Sequence, residues 1–237
     1  IDHLDERDIV PFLSAKVKQP FDLEHGPLMR VHLFSRQRGA ERDHIGLITI
    51  HHIVFDGTSS VLLARTLVST YHALSQGKEP SPVANEASYQ DFVHWEQAMM
   101  AGPEGREHLA WWQQHLAGEL PVLALRTDHP RPAVRGFSGA TIEASIDPSL
   151  SERVRVLARS QRVSLSTLLL GLYKVLLHRY THQEDLIVGM PTMGRPKNIF
   201  DRVMGCFINM MAVRSRVSGD QSFSDYLKTL QLTMIDS

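Results

Sequence analysis

The sequence predicts an α/β fold in two lobes. Three observations carry this. Short runs of alternating apolar and polar residues are interspersed with longer runs whose apolar residues recur at helical spacing. Many of the connections are long, which suits mixed sheets flanked by helices better than a hairpin-only fold. A proline-rich segment over 118–137, with Pro121, Pro130 and Pro132, has almost no periodicity and divides the chain. We place residues 1–125 in an N-terminal lobe and residues 126–237 in a linker and part of a C-terminal lobe.

The elements follow in order. Residues 8–18 read as a short helix, stopped by Gln19-Pro20. Residues 28–34 alternate as a strand, 37–43 form a charged turn containing Gly39, and 45–50 read as a second strand, so the two pair as a hairpin. Ser59 or Ser60 caps a helix that runs to about Ser75. Its apolar stripe is Leu62, Leu63, Thr66, Leu67, Thr70, Tyr71 and Leu74, and Gly77 stops it. Helices follow over 89–100 and 104–116, separated by Gly102-Pro103. Beyond the proline-rich segment, 140–146 alternates as a strand, and 148–162 and 164–180 read as helices. Residues 185–188 and 207–217 read as strands and 224–234 as a final helix.

Composition narrows the function classes. The formal net charge of −1 gives no general attraction to nucleic acid or to an anionic membrane. Cys206 is the one cysteine, so no internal disulfide forms, which suits a reducing cytoplasm. The longest strongly apolar run, 163–173, is shorter than the roughly 20 residues a membrane helix needs and reads as a buried helix. The charged start of the chain carries no secretory pattern. Most of the 13 histidines, among them His3, His25, His44 and His108, lie on charged stretches and read as surface residues.

The run His51-His52-Ile53-Val54-Phe55-Asp56-Gly57 stands at the junction of a strand and a helix. Neighbouring strand side chains point to opposite faces, so one of His51 and His52 faces a given cavity and the other supports the structure. Imidazole exchanges protons near neutral pH and can take one from an attacking amine or hydroxyl. Asp56 is placed to order the turn or orient an imidazole. Gly57 permits a tight turn, and the amides at the helix start are placed to stabilise an oxyanion. Three alternatives accompany this reading. The pair is structural, or His51, His52 and Asp56 ligate a metal, or the chain is a serine hydrolase. Adjacent histidines rarely converge on one ion, and no HExxH or paired-cysteine spacing is present. Gly136-Phe137-Ser138-Gly139 is not a GxSxG elbow.

Taken with other segments, the run resembles the HHxxxDG signature of the condensation domains of nonribosomal peptide synthetases, within the chloramphenicol-acetyltransferase-like superfamily. Ser88-Tyr89-Gln90-Asp91-Phe92-Val93-His94-Trp95 resembles that family's YxDFAxW helix, and Gly205-Cys206-Phe207-Ile208-Asn209 its GxFVN segment. Phe21–Leu28, Val188–Arg195, Trp111-Trp112 with Leu116-Ala117-Gly118, and Thr127–Pro132 resemble its connecting segments, in the family's order. The family's early SxAQ-type and RHExLRT-type segments and its late HQD-type and RDxSRNPL-type segments are not found. The chain is therefore expected to be the central half of such a domain, incomplete at both ends. Thr58 stands where many members carry a bulky aromatic residue. The DxxxxD pattern of cyclisation domains and the Ser-Trp of epimerisation domains are absent, which favours condensation.

The resemblance implies a two-lobed chloramphenicol-acetyltransferase-like fold and amide formation between a donor acyl or peptidyl thioester and an acceptor aminoacyl group. It implies that His52 does the chemistry, supported by His51, Asp56 and Gly57. An arginine is expected to pair with Asp56. Arg195 is the first candidate, with Arg202 and Arg214 as rivals, and Asn209 is a further site candidate. Tyr89, Phe92 and Trp95 read as a core stripe. No cofactor or metal is expected in the domain itself, because substrates arrive on phosphopantetheine arms. The expected partners are upstream and downstream carrier domains and neighbouring synthetase domains, with no nucleic acid and no membrane, in the cytoplasm. An ester-forming or stand-alone acyltransferase and a non-catalytic recruitment platform are the competing functions.

Overall fold

A computed structural model describes residues 2–3, 9–38, 41–82, 86–130, 132–134, 136 and 139–236. Asp8, the tip of the expected 37–43 turn and Ser138 lie outside them. The elements run β1 (Asp2–His3), α1 (Ile9–Val17), β2 (Met29–Arg38), β3 (Glu41–Ile50), α2 (Gly57–Ser75), α3 (Tyr89–Ala101), α4 (Pro103–His115), α5 (Pro148–Gln161), α6 (Leu165–Thr181), β4 (Asp185–Thr192), β5 (Asn209–Arg216) and α7 (Phe223–Asp236). Backbone packing divides the chain into two units. One comprises 1–98 with 193–209, the other 99–192 with 210–237. These units interleave, because 193–209 returns to the first unit, and they do not coincide with a single division at 125/126.

In the first unit, β2 lies between β1 and β3. It pairs antiparallel with β3 from Met29↔Ile50 to Arg38↔Glu41. The strands thus run further than the 37–43 turn allowed, because charged residues such as Arg36, Arg38 and Arg42 join the ladder instead of ending it. One face carries buried Phe34, which meets Phe12 of α1 edge-on at 5.2 Å. The apolar alternation of Met29, Val31 and Leu33 lies on the exposed face. A second core of the unit is Phe92, Phe200, Val203 and Phe207, flanked by Tyr89, Val93 and Trp95. The α3 stripe is therefore core, as its spacing predicts. The stripe expected along α2 is not: Leu67, Tyr71 and Leu74 are exposed, and Ser59 is the buried residue of that helix.

In the second unit, α6 packs against α5, α7 and β4. Its buried residues, Thr167, Leu168, Gly171, Lys174 and Leu177, recur every three or four positions. Leu186, Val213, Tyr226 and Leu230 join Leu177 in the core. Leu165, Leu169, Leu172 and Leu176 on the rest of α6 are 40–51% exposed, so this helix is buried on one face and not all round. Ser164 caps it, accepting from Thr167 N at 3.0 Å.

Lys174 is fully buried, and its Nζ donates to Leu186 O at 3.0 Å, Val213 O at 2.7 Å and Ser215 Oγ at 2.8 Å. It ties the adjacent strands β4 and β5 to the helix. Burial brings its amine down to about 8, against the opposing charge of Asp185. Residues 140–146 form no strand and join no ladder among the described residues.

Candidate active site

β3 ends at Ile50, so neither histidine of the motif lies in the strand. The two are separated by a cap rather than by alternation. His51 closes the hairpin, its N–H donating to Leu28 O at 2.9 Å. It then caps a single 3-10 turn, His52–Val54, its Nδ1 accepting from Ile53 N at 3.1 Å. The His51 ring meets Phe21 edge-on at 5.7 Å. With Nδ1 accepting a backbone proton, the neutral His51 ring carries its own proton on Nε2. His52 opens the turn, its side chain is exposed, and its Nδ1 lies 3.9 Å from Cys206 Sγ.

Asp56, and not Ser59 or Ser60, caps α2, with Oδ1 accepting from Ser59 N at 2.8 Å. The helix start therefore holds a carboxylate, which takes the pole that an oxyanion was expected to use. Gly57 is the first residue of the helix, its backbone is outside the left-handed region, and a Cβ there would meet nothing within 4 Å. The tight turn expected of it is absent.

Arg195 grips Asp56 with both terminal nitrogens. Nη1 donates to Oδ2 at 2.7 Å and Nη2 to Oδ1 at 3.1 Å. Both side chains are at most 5% exposed. Nη2 also reaches Val203 O at 3.1 Å and Ser59 Oγ at 3.3 Å, and the guanidinium carbon lies 4.1 Å from the Phe207 ring centroid. Phe207 N donates to Asp56 Oδ2 at 3.2 Å. Burial raises the Asp56 carboxyl, but the bonds from Arg195, Ser59 and Phe207 outweigh it and hold the pKa at about 2. Arg195 is aimed by Gly194, whose φ of +62° favours glycine and whose Cβ would collide with Phe207 O. Of the other arginines, Arg202 is exposed and Arg214 pairs with Asp185 at 2.7 Å. Asn209 opens β5 with an exposed side chain.

Residues 205–207 are tied down one by one. Ser59 Oγ donates to Gly205 O at 2.9 Å and accepts from Gly205 N at 2.9 Å. Tyr89 Oη donates to Cys206 O at 2.8 Å, and Phe207 N is held by Asp56. A Cβ on Gly205 would enter the Tyr89 ring. Sequence reasoning missed Cys206, the Tyr89 hydroxyl and the Ser59 bridge. Their one sequence signal was their membership of motif-like segments, which does not say which atoms meet.

A strand hairpin that leads through a capped 3-10 turn into a helix anchored by a buried Asp–Arg pair defines an α/β domain with a histidine presented beside a fixed polar core. Residues 1–237 match the model of the condensation domain family, and the chain belongs to that family. It is 48% identical over 227 residues to the polyketide synthase PksN of Bacillus subtilis (strain 168), covering 96% of this chain and 4% of that protein. It is 37% identical over 224 residues to a linear gramicidin synthase of Brevibacillus parabrevis, covering 94% of this chain and 3% of that protein. The chain thus spans a small part of the length of these relatives. Among solved structures it resembles the X-domain from teicoplanin biosynthesis, with a TM-score of 0.85 at 23% identity over 99% of this chain and 53% of that one. It also resembles the first condensation domain of the CDA synthetase, with a TM-score of 0.76 at 22% identity over 99% and 53%. These likenesses establish the fold, the chloramphenicol-acetyltransferase-like one expected from the motifs. Among the described residues no helix is long and apolar enough to cross a membrane.

Proposed function

We propose that this chain forms an amide bond between two carrier-bound substrates, a donor acyl or peptidyl thioester and an acceptor aminoacyl group. The observation that carries the reading is the exposed His52 imidazole beside a locked Asp56–Arg195 core, in a chain of the condensation domain family. His52 takes a proton from the acceptor amine as its nitrogen attacks the thioester carbonyl. The C–N bond forms, the C–S bond breaks, and the proton returns to the departing thiolate of the donor arm. General-base assistance of this kind is worth roughly 100- to 10,000-fold in rate. Proximity of the two arms supplies much of the remainder.

Asp56 and Arg195 are supports in this reading. Their charges satisfy each other, Asp56 also holds Phe207 N and Arg195 also holds Val203 O, which leaves neither available to substrate. His51 shapes the turn that presents His52, and Gly57 leaves open room beside it. Asn209 lies at the edge of the same unit as a site neighbour. The domain binds no cofactor or metal of its own, and phosphopantetheine arms of upstream and downstream carrier domains deliver both substrates. It works in the cytoplasm among neighbouring synthetase domains. Residues 1–125 are assigned in this reading to part of the N-terminal lobe and 126–237 to the linker and part of the C-terminal lobe.

The test uses the full native protein, its carriers loaded with an acyl donor and either an aminoacyl or a hydroxyacyl acceptor. Amide product by mass spectrometry is expected. Ester formation with no amide would replace this reading with an ester-forming acyltransferase. No transfer to either acceptor would leave a recruitment platform, against which the retained His51, His52, Asp56 and Gly57 speak.

A further inference from the structure

The backbone of 205–207 is held by three side chains from two helices and the cap before one of them. Ser59 takes both polar groups of Gly205, Tyr89 takes Cys206 O, and Asp56 takes Phe207 N. This leaves the middle residue little freedom. Its side chain emerges beside the motif, with Cys206 Sγ 3.9 Å from His52 Nδ1. Among the described residues, that sulfur is the one hydrogen-bond partner of the His52 ring. His51 differs, since its Nδ1 is occupied by Ile53 N.

We infer that Cys206 is a positioning residue for His52. The inference rests on His52 acting as the base. In this pairing Nδ1–H donates a hydrogen bond to the sulfur, which fixes the tautomer with Nε2 unprotonated and free to take the proton of the acceptor amine. It also orients an exposed ring that no other described side chain holds. Asp56, Ser59 and Tyr89 then serve the chemistry at one remove. They fix the backbone that carries the sulfur, and the sulfur fixes the base. The contact places the imidazole directly against the thiol, so the rate at which the sulfur is alkylated reports on the pairing.

Cys206 is the chain's one cysteine, so its alkylation can be mapped without ambiguity to one peptide. The experiment measures two things in the full native protein. The first is the rate at which iodoacetamide labels Cys206, by peptide mass spectrometry, in the unaltered protein and in His52→Gln. The second is turnover and its pH profile in Cys206→Ala and Cys206→Ser. Labelling is expected to slow about 3- to 10-fold in His52→Gln, the effect of one ordinary hydrogen bond. Cys206→Ala is expected to lose about 3- to 10-fold in turnover, and Cys206→Ser, which keeps an acceptor, to recover most of it. Unchanged labelling in His52→Gln overturns the pairing whatever the activity shows. Changed labelling with a Cys206→Ala profile identical to the unaltered protein overturns the positioning role alone. Changed labelling with full turnover in His52→Ala removes the base itself, and the proposed function fails separately from the contact.

Discussion

Replacing Asp56 by Asn removes one charge from a pair that is almost wholly shielded from water. The partner, Arg195, is 5% exposed and has no other carboxylate in reach among its described bonds. The drop of the Asp56 carboxyl from 3.8 to about 2 corresponds to about 2 kcal/mol at 1.36 kcal/mol per decade. Stranding a buried charge typically costs about 3–5 kcal/mol, and the amide oxygen of Asn retains part of the cap, so we expect a loss of about 2–4 kcal/mol. In thermal unfolding followed by circular dichroism this corresponds to a fall in midpoint of roughly 4–16 °C for a domain of this size. Because the native carboxyl lies below its unfolded value, its contribution is complete above about pH 4 and fades as the pH falls toward 2. Asp56→Asn should flatten the acid limb of stability in that window. A variant that loses less than about 1 kcal/mol would refute the supporting role. If it were also inactive, Asp56 would belong with the chemistry.

Three further outcomes follow from the same contacts. Gly205→Ala pushes a methyl group into the Tyr89 ring, and a loss of about 1–3 kcal/mol is expected in urea unfolding, partly relieved by Tyr89→Leu. His51→Ala removes the acceptor of the Ile53 amide and the edge contact to Phe21. It should cost about 1 kcal/mol and leave more turnover than His52→Ala. Lys174 binds its proton less tightly when folded, so between about pH 8 and 10.5 the unfolded chain holds more protons and stability rises with pH by up to about 3 kcal/mol. Lys174→Met should abolish that rise in urea titrations across the window.

The sequence was most legible where one period or one cap decided the element. The helices expected over 148–162 and 164–180 are present, and the structure shows Asp147 and Ser164 capping them. The hairpin was legible from alternation, but which face is buried was not. Val31 and Leu33 look like core residues, yet Phe34 and the opposite face pack on α1. The α2 cap was misread because two serines follow a competing aspartate. A carboxylate that can also bind Arg195 wins that position. Local pattern gives no route to a partner 139 residues away; Arg195 came from family resemblance. Lys174 was hidden in a run of leucines, although its place on the buried stripe with Leu168, Gly171 and Leu177 is itself the signal. Residues 140–146 alternate as a strand would, but a strand also needs a neighbour to complete its ladder.

The central claim is that His52 does the chemistry while its surroundings hold it in place. Single-turnover amide formation in the full native protein, by rapid quench with both carriers loaded, tests it most directly. His52 is exposed, so His52→Ala should keep its unfolding midpoint within about 2 °C while amide formation slows by about 100-fold or more. A folded His52→Ala protein that forms the amide at the unaltered rate would contradict the account.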